Sequence, residues 1–169
     1  MTVYPKPVPP ERQPKGLVPD IAVQALTDDE RVWVPLHKNV WLRPLLLNTV
    51  EGYWVSLLRV RESGVVSVHR HPAPVHGYVI KGKWRYLEHD WVATEGSYVF
   101  EPPGETHTLV IDDDVEEMIT WFLVNGAMLY MDDNAKLTGY ADVFQRIELC
   151  REHYIKVGLG ADYVNQFIR

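Results

Sequence analysis

The chain has 169 residues, a formal net charge of −6 at pH 7 and a hydrophobic share of 46%. That length suits one domain, residues 1–169, with a buried core of its own, and the acidic balance without any basic stripe argues against nucleic acid. The only cysteine, Cys150, excludes an intramolecular disulfide and every multi-cysteine zinc pattern.

Residues 1–19 hold six of the twelve prolines and show no periodicity, so they read as an extended arm without helix or strand. The start lacks the apolar h-region of a signal peptide, and no apolar run approaches the ~20 residues of a membrane span. A cytoplasmic protein with no membrane partner is the expectation.

From Arg31 the texture changes to β-branched and aromatic runs broken by turn signals. Strands are predicted over 31–36 (RVWVPL), 40–47 (VWLRPLLL), 53–61 (YWVSLLRVR), 64–71 (GVVSVHRH), 77–88 (GYVIKGKWRYLE), 97–101 (SYVFE), 107–111 (HTLVI) and 117–131, a β-barrel spanning 31–131. Pro35 and Pro44 mark edge or bulge positions, because proline cannot donate to a ladder. In the tail, Val143, Ile147, Cys150, Tyr154 and Val157 recur at spacings of 4, 3, 4 and 3, one stripe of a helix. That helix is expected over 139–158, started by Thr138 or Asp142 and stopped by Gly158. Many short strands with one C-terminal α-helix predict a mainly β jelly-roll sandwich or barrel. Six tryptophans and nine tyrosines need pockets or an interface to cover them, and a homodimer or homotetramer is expected.

"HRHPAPVH", residues 69–76, places three of the seven histidines within eight positions. On a strand, residues i and i+2 share a face, so His69 and His71 point the same way. Parity leaves the face open, since Val65 and Ser67 fall with the histidines but Val66 and Val68 with Arg70. The pair is therefore either two metal ligands or a solvated, hydrogen-bonded pair.

The second informative stretch, "GSYVFEPPGETH" over 96–107, matches each fixed position of G-x5-P-x-G-x2-H. This pattern resembles the second signature of the cupin superfamily. Gly64, His69, His71 and Gly82 resemble the first, with four residues instead of five before the His pair. The resemblance implies a double-stranded β-helix barrel in which His69, His71 and His107 hold one metal. The departures matter. Counting back from Gly82, the family's ligand glutamate falls at Val75; counting forward from His71 with the four-residue spacing, it falls at His76. A three-histidine site is the resulting expectation, with His76 beside the site or paired to backbone, and a fourth ligand only if the local backbone turns it inward.

Residues 69–109 further resemble one branch, the 2,4′-dihydroxyacetophenone dioxygenases and their relatives, non-haem iron cupins with three histidine ligands. The resemblance implies Fe(II), an aromatic α-hydroxyketone and O2 as substrates, and cleavage to 4-hydroxybenzoate and formate. Three neutral imidazoles leave a +2 charge uncancelled, which suits a ketone bound as its enediolate anion. Glu101 could accept from a ligand imidazole, and Glu105 stands nearby in sequence. Trp84, Tyr86 and Glu88 share one strand face and Tyr98 and Phe100 another; either set could wall an aromatic pocket or simply pack the core. Arg85 could pair with Glu101 or Glu105, whereas His37, His89 and His153 read as solvated. Cleavage of a β-diketone, a metal-dependent isomerase and a non-catalytic sensory cupin are the competing functions.

Overall fold

The computed structural model describes residues 1–132 and 134–169. In chain order the strands are β1 (Val34–His37), β2 (Val40–Asn48), β3 (Tyr53–Val60), β4 (Gly64–Arg70), β5 (Val75–Lys81), β6 (Lys83–Tyr86), β7 (Ala93–Thr94), β8 (Tyr98–Glu101), β9 (Thr106–Ile111), β10 (Met118–Asn125), β11 (Ala127–Met131) and β12 (Leu137–Asp142), followed by α1 (Val143–Lys156). They form two six-stranded antiparallel sheets, ordered β1-β2-β3-β10-β5-β8 and β12-β11-β4-β9-β6-β7. The expected mainly β jelly-roll with a C-terminal helix is the fold observed.

Glycine punctuates two of the predicted runs. Gly82, at φ +73°, divides 77–88 into β5 and β6; a Cβ there would stand 2.4 Å from the Glu117 carbonyl oxygen. Gly126, at φ +71°, divides 117–131 into β10 and β11 in the same way. Pro35 lies on the edge strand β1, and the β2–β3 register shifts between Pro44 and Leu46, as proline's missing donor requires.

The tail differs from expectation at its start. Residues 137–142 pair with β11 as a strand, so the barrel runs past 131, and the helix begins at Val143 instead of 139. Asp142 is the N-cap, its Oδ1 accepting from the Gln145 amide at 2.9 Å. Gly158 adopts φ +78° just beyond the helix, and a 3₁₀ segment, Ala161–Phe167, follows. The arm over 1–19 contains one short 3₁₀ turn, Pro10–Arg12, and is otherwise irregular and exposed.

The main core lies between the sheets, with Leu47, Trp54, Val79, Trp84, Tyr86 and Met118 buried in it. A smaller cluster on the outer face of the first sheet gathers Val32, Trp33, Leu57 and Ile119. Arg59 lies there 4.1 Å from the Trp33 ring and 4.7 Å from the Trp41 ring, paired with Glu30 at 2.6 Å. That explains why β2 and β3 are apolar on both faces. The helix α1 lays Val143, Ile147, Cys150 and Tyr154 onto the main core and brings Arg146 and Leu149 to the wall of an internal cavity.

Candidate metal centre

Two neighbouring strands of the second sheet start the site. His69 on β4 and His107 on β9 are direct partners in their ladder, and directly opposed residues share a face. Upstream, the register shifts between Val65 and Ser67. This bulge settles the parity left open by sequence: Val65 is exposed, whereas Ser67, His69 and His71 all line the cavity. The Pro102-Pro103-Gly104 turn is fastened to the histidine pair, because the Gly104 amide donates to the His71 carbonyl at 2.8 Å.

Glu101 ends β8 and completes the group. Ligand atoms of His69, His71, Glu101 and His107, all buried, lie within 4.8 Å of one another. His69 and His107 approach Nε2 to Nε2 at 3.2 Å. Glu101 Oε2 stands 3.6 Å from His107 Nε2 and 3.8 Å from His71 Nε2. Donors on one ion at about 2.0–2.2 Å are themselves roughly 3.0–3.5 Å apart, so the His69–His107 pair already has the spacing of a shared metal and the Glu101 distances lie within about 0.3 Å of it.

Protonation supports the same reading. Burial, reinforced by the neighbouring rings, holds His69 well below the ordinary imidazole range. Burial pushes His71 down to about 4 and lowers His107 too. Three neutral imidazoles are what a metal requires. His71 Nδ1–H donates to the Ala127 carbonyl at 3.3 Å, and His69 Nδ1 meets Ser67 Oγ at 3.0 Å, which turns both Nε2 lone pairs toward the centre.

Glu101 is 4% exposed, and burial pushes its carboxyl up to about 7. Its Oε1 accepts from Tyr86 Oη at 2.8 Å, while Oε2 is buried without a hydrogen-bond partner. Such an orphaned oxygen facing three lone pairs is accounted for by a cation between them. Tyr86 also stacks on His107, centroids 3.8 Å apart and planes 8° off parallel. Glu105 Oε2 meets His89 Nε2 at 3.0 Å and lies 3.6 Å from His107 Nδ1, beyond hydrogen-bond reach.

His69, His71 and Glu101 open onto a cavity of about 520 Å³, walled mainly by apolar side chains such as Leu42, Trp54, Phe122 and Val124. Of the residues expected beside the site, Tyr86 lines this cavity. Trp84 does not; it is 1% exposed and packs behind, with ring centroids 5.1 Å from Tyr86 and 5.8 Å from Phe122. His76 and Tyr98 lie on the outer face of the first sheet, joined Nδ1 to Oη at 2.8 Å, with Tyr98 62% exposed. The alternation of β5 explains it, since Val75, Gly77 and Val79 take the inner face. Arg85 pairs with Asp112, not with Glu101 or Glu105, and Glu88 accepts from the Thr108 amide and hydroxyl. His37, read as solvated, is exposed but lines the cavity, joined there by Tyr130 and Arg146. A signal for Arg146 was present: it is a charge within the apolar stripe of α1, three residues after Val143 and four before Cys150.

A jelly-roll barrel with three buried histidines and one buried glutamate on its inner wall defines a metal-binding cupin. Residues 22–129 match the ChrR cupin-like domain, and the chain belongs to that family. Among solved structures, an RmlC-like cupin protein from Ralstonia eutropha JMP134 is 28% identical with a TM-score of 0.71, covering 75% of this chain and 83% of its own. An acetylacetone dioxygenase from Acinetobacter johnsonii is 16% identical with a TM-score of 0.65, covering 82% and 97%, a likeness of fold. No curated protein matches the chain. No helix among the described residues is long and apolar enough to cross a membrane.

Proposed function

We propose that this protein is an iron-dependent oxygenase that cleaves the C–C bond beside the carbonyl of an aromatic α-hydroxyketone, of the 2,4′-dihydroxyacetophenone type. One observation carries the reading: the group of three histidines and one glutamate adjoins, through His69, His71 and Glu101, an apolar cavity of about 520 Å³, room for an aromatic ligand. His69, His71, His107 and Glu101 would hold Fe(II), which when bound supplies Lewis-acid polarisation of the ketone and the means of using dioxygen.

The chain's own groups do the rest. Tyr86 donates to Oε1 of Glu101 and so fixes which of its oxygens faces the donor centre. Trp54 and Phe122 offer faces for the substrate ring and keep water out. The balance is R–CO–CH2OH + O2 → R–COOH + HCOOH: the bond between the two oxygenated carbons breaks, and each gains one oxygen atom. Oxygen uptake by the Fe(II)-loaded protein on adding 2,4′-dihydroxyacetophenone, with formate released in equal amount, is the expected result. No uptake with iron verifiably bound would overturn it.

A second reading has its own observation. Four protein donors can close a tetrahedral site, as in structural zinc centres, and that favours a non-catalytic metal-holding cupin. Tight zinc retention with no oxygen uptake for any ketone, β-diketones included, would select it. Self-association belongs to the proposal too, supported by the exposed aromatics Tyr78, Tyr98 and Phe100; a monomeric mass by light scattering counts against it.

A further inference from the structure

Arg146 is 5% exposed and lies on the cavity wall. Among the described residues its guanidinium has no carboxylate partner: Nη2 donates to Tyr130 Oη at 3.2 Å and reaches Met128 Sδ at 3.9 Å, and Nε is buried without any acceptor. The Trp54 ring lies 5.5 Å from its Cζ. A guanidinium cannot shed its charge, and a buried cation without a counter-ion is costly. Leaving it unpaired beside open space is the arrangement of a site whose anion arrives with the ligand.

Its position relative to the metal centre is fixed by the second sheet. Tyr130 on β11 is the direct partner of His69 on β4, so the two side chains share a face. Met128, which touches the guanidinium, follows Ala127, whose carbonyl holds His71 Nδ1. Arg146 is therefore one tyrosine side chain away from the donor histidines, along the same wall.

We infer that Arg146 and Tyr130 form a carboxylate subsite, so that among aromatic ketones the cavity prefers one with a carboxylate at the end away from its carbonyl, the carbonyl toward the histidines and the carboxylate on the guanidinium. The inference rests on the proposed ketone chemistry for the carbonyl end, and on the guanidinium alone for the anionic end. A carboxylate takes paired N–H donors from arginine, and the Tyr130 hydroxyl adds a third. The apolar wall between the two ends, including Trp54, fits the carbon skeleton.

Calorimetric binding of two probes to the metal-loaded protein tests this without turnover. 4-Acetylbenzoate and 4-acetylbenzamide have nearly the same shape and differ in charge. The benzoate is expected to bind at least about 10-fold tighter, the scale of one charged hydrogen bond out of water. Arg146→Met, which keeps the apolar stem, should bring the two affinities within a factor of about 2 without weakening the amide. Equal affinities in the unaltered protein, binding of neither probe, or a gap surviving in R146M would each overturn the subsite. Should R146M fail to fold, the comparison in the unaltered protein still decides. Selective benzoate binding in a protein that cleaves no ketone would uphold the subsite while removing the oxygenase reading.

Discussion

Glu101 stands directly across the β5–β8 ladder from Val75. Val75 is where the first cupin signature, counted back from Gly82, puts its ligand carboxylate. Opposed residues share a face, and both of these line the cavity. The carboxylate missing from one strand is supplied by the neighbouring strand at the paired position.

A transplant tests that substitution of place. Glu101→Val should cost about 10- to 100-fold in metal affinity. The double variant E101V/V75E should recover most of it, because the two side chains start from opposed Cα atoms on one face. Metal retention during dialysis against a graded chelator reads the difference. A double variant no better than E101V would show that the two positions are not interchangeable.

Tyr86→Phe removes one oxygen and leaves the ring on His107. The Glu101 carboxyl then loses its 2.8 Å donor, so both of its oxygens are free to turn. Metal affinity is expected to fall by about 10-fold, the low end for loss of a group that orients a ligand. Unchanged affinity would mean that the stacked ring alone holds the site in order.

The metal-free protein should lose stability on acidification from pH 6.5 to 4.5. An unfolded histidine titrates near 6.5, whereas folded His71 does so at about 4 and His69 and His107 are also depressed. Across that window the unfolded chain binds more protons at three histidines, so stability falls as pH falls. Glu101 opposes them: its folded value of about 7 lies above 4.5, and the stability it contributes is lost as pH rises through 7. Three groups outweigh one, and thermal melts should drop by roughly 5 °C or more per pH unit. Glu101→Gln should steepen the fall. A melting temperature that rises between pH 6.5 and 5 would contradict this balance.

Two backbone variants gauge the scaffold apart from the site. Gly82→Ala puts a Cβ against the Glu117 carbonyl in a left-handed conformation and should cost about 2 kcal/mol or more. Asp142→Ala removes the helix cap and should cost about 1 kcal/mol. Denaturant midpoints at unchanged slope would read both. Equal, negligible losses would mean that neither feature is under the constraint its geometry implies.

The strand runs, their turn residues and the shared face of His69 and His71 were legible in the chain because each is a local pattern. Period-2 spacing put His69 and His71 on one face, whereas His107 joined them through the resemblance to the second cupin signature, and the β4–β9 register sets it opposite His69. What escaped is set by pairing between distant segments. Glu101 joins the donor group through the β5–β8 register, and Arg146 reaches the cavity because α1 packs on that wall. The inward turn of His69 depended on a bulge at Val66 that no residue of β4 announces. His76 and Tyr98 were misplaced for the opposite reason: a histidine beside a histidine pair invites grouping, yet strand alternation sends it outward.

Turnover under 18O2 tests the proposed chemistry most directly. Fe(II)-loaded protein given 2,4′-dihydroxyacetophenone should release 4-hydroxybenzoate and formate carrying one labelled oxygen atom each, with label lost in His107→Ala along with bound iron. Unlabelled products, or no products from protein that still holds its iron, would contradict an oxygenase and leave the buried donors as a metal-holding centre without oxygen chemistry.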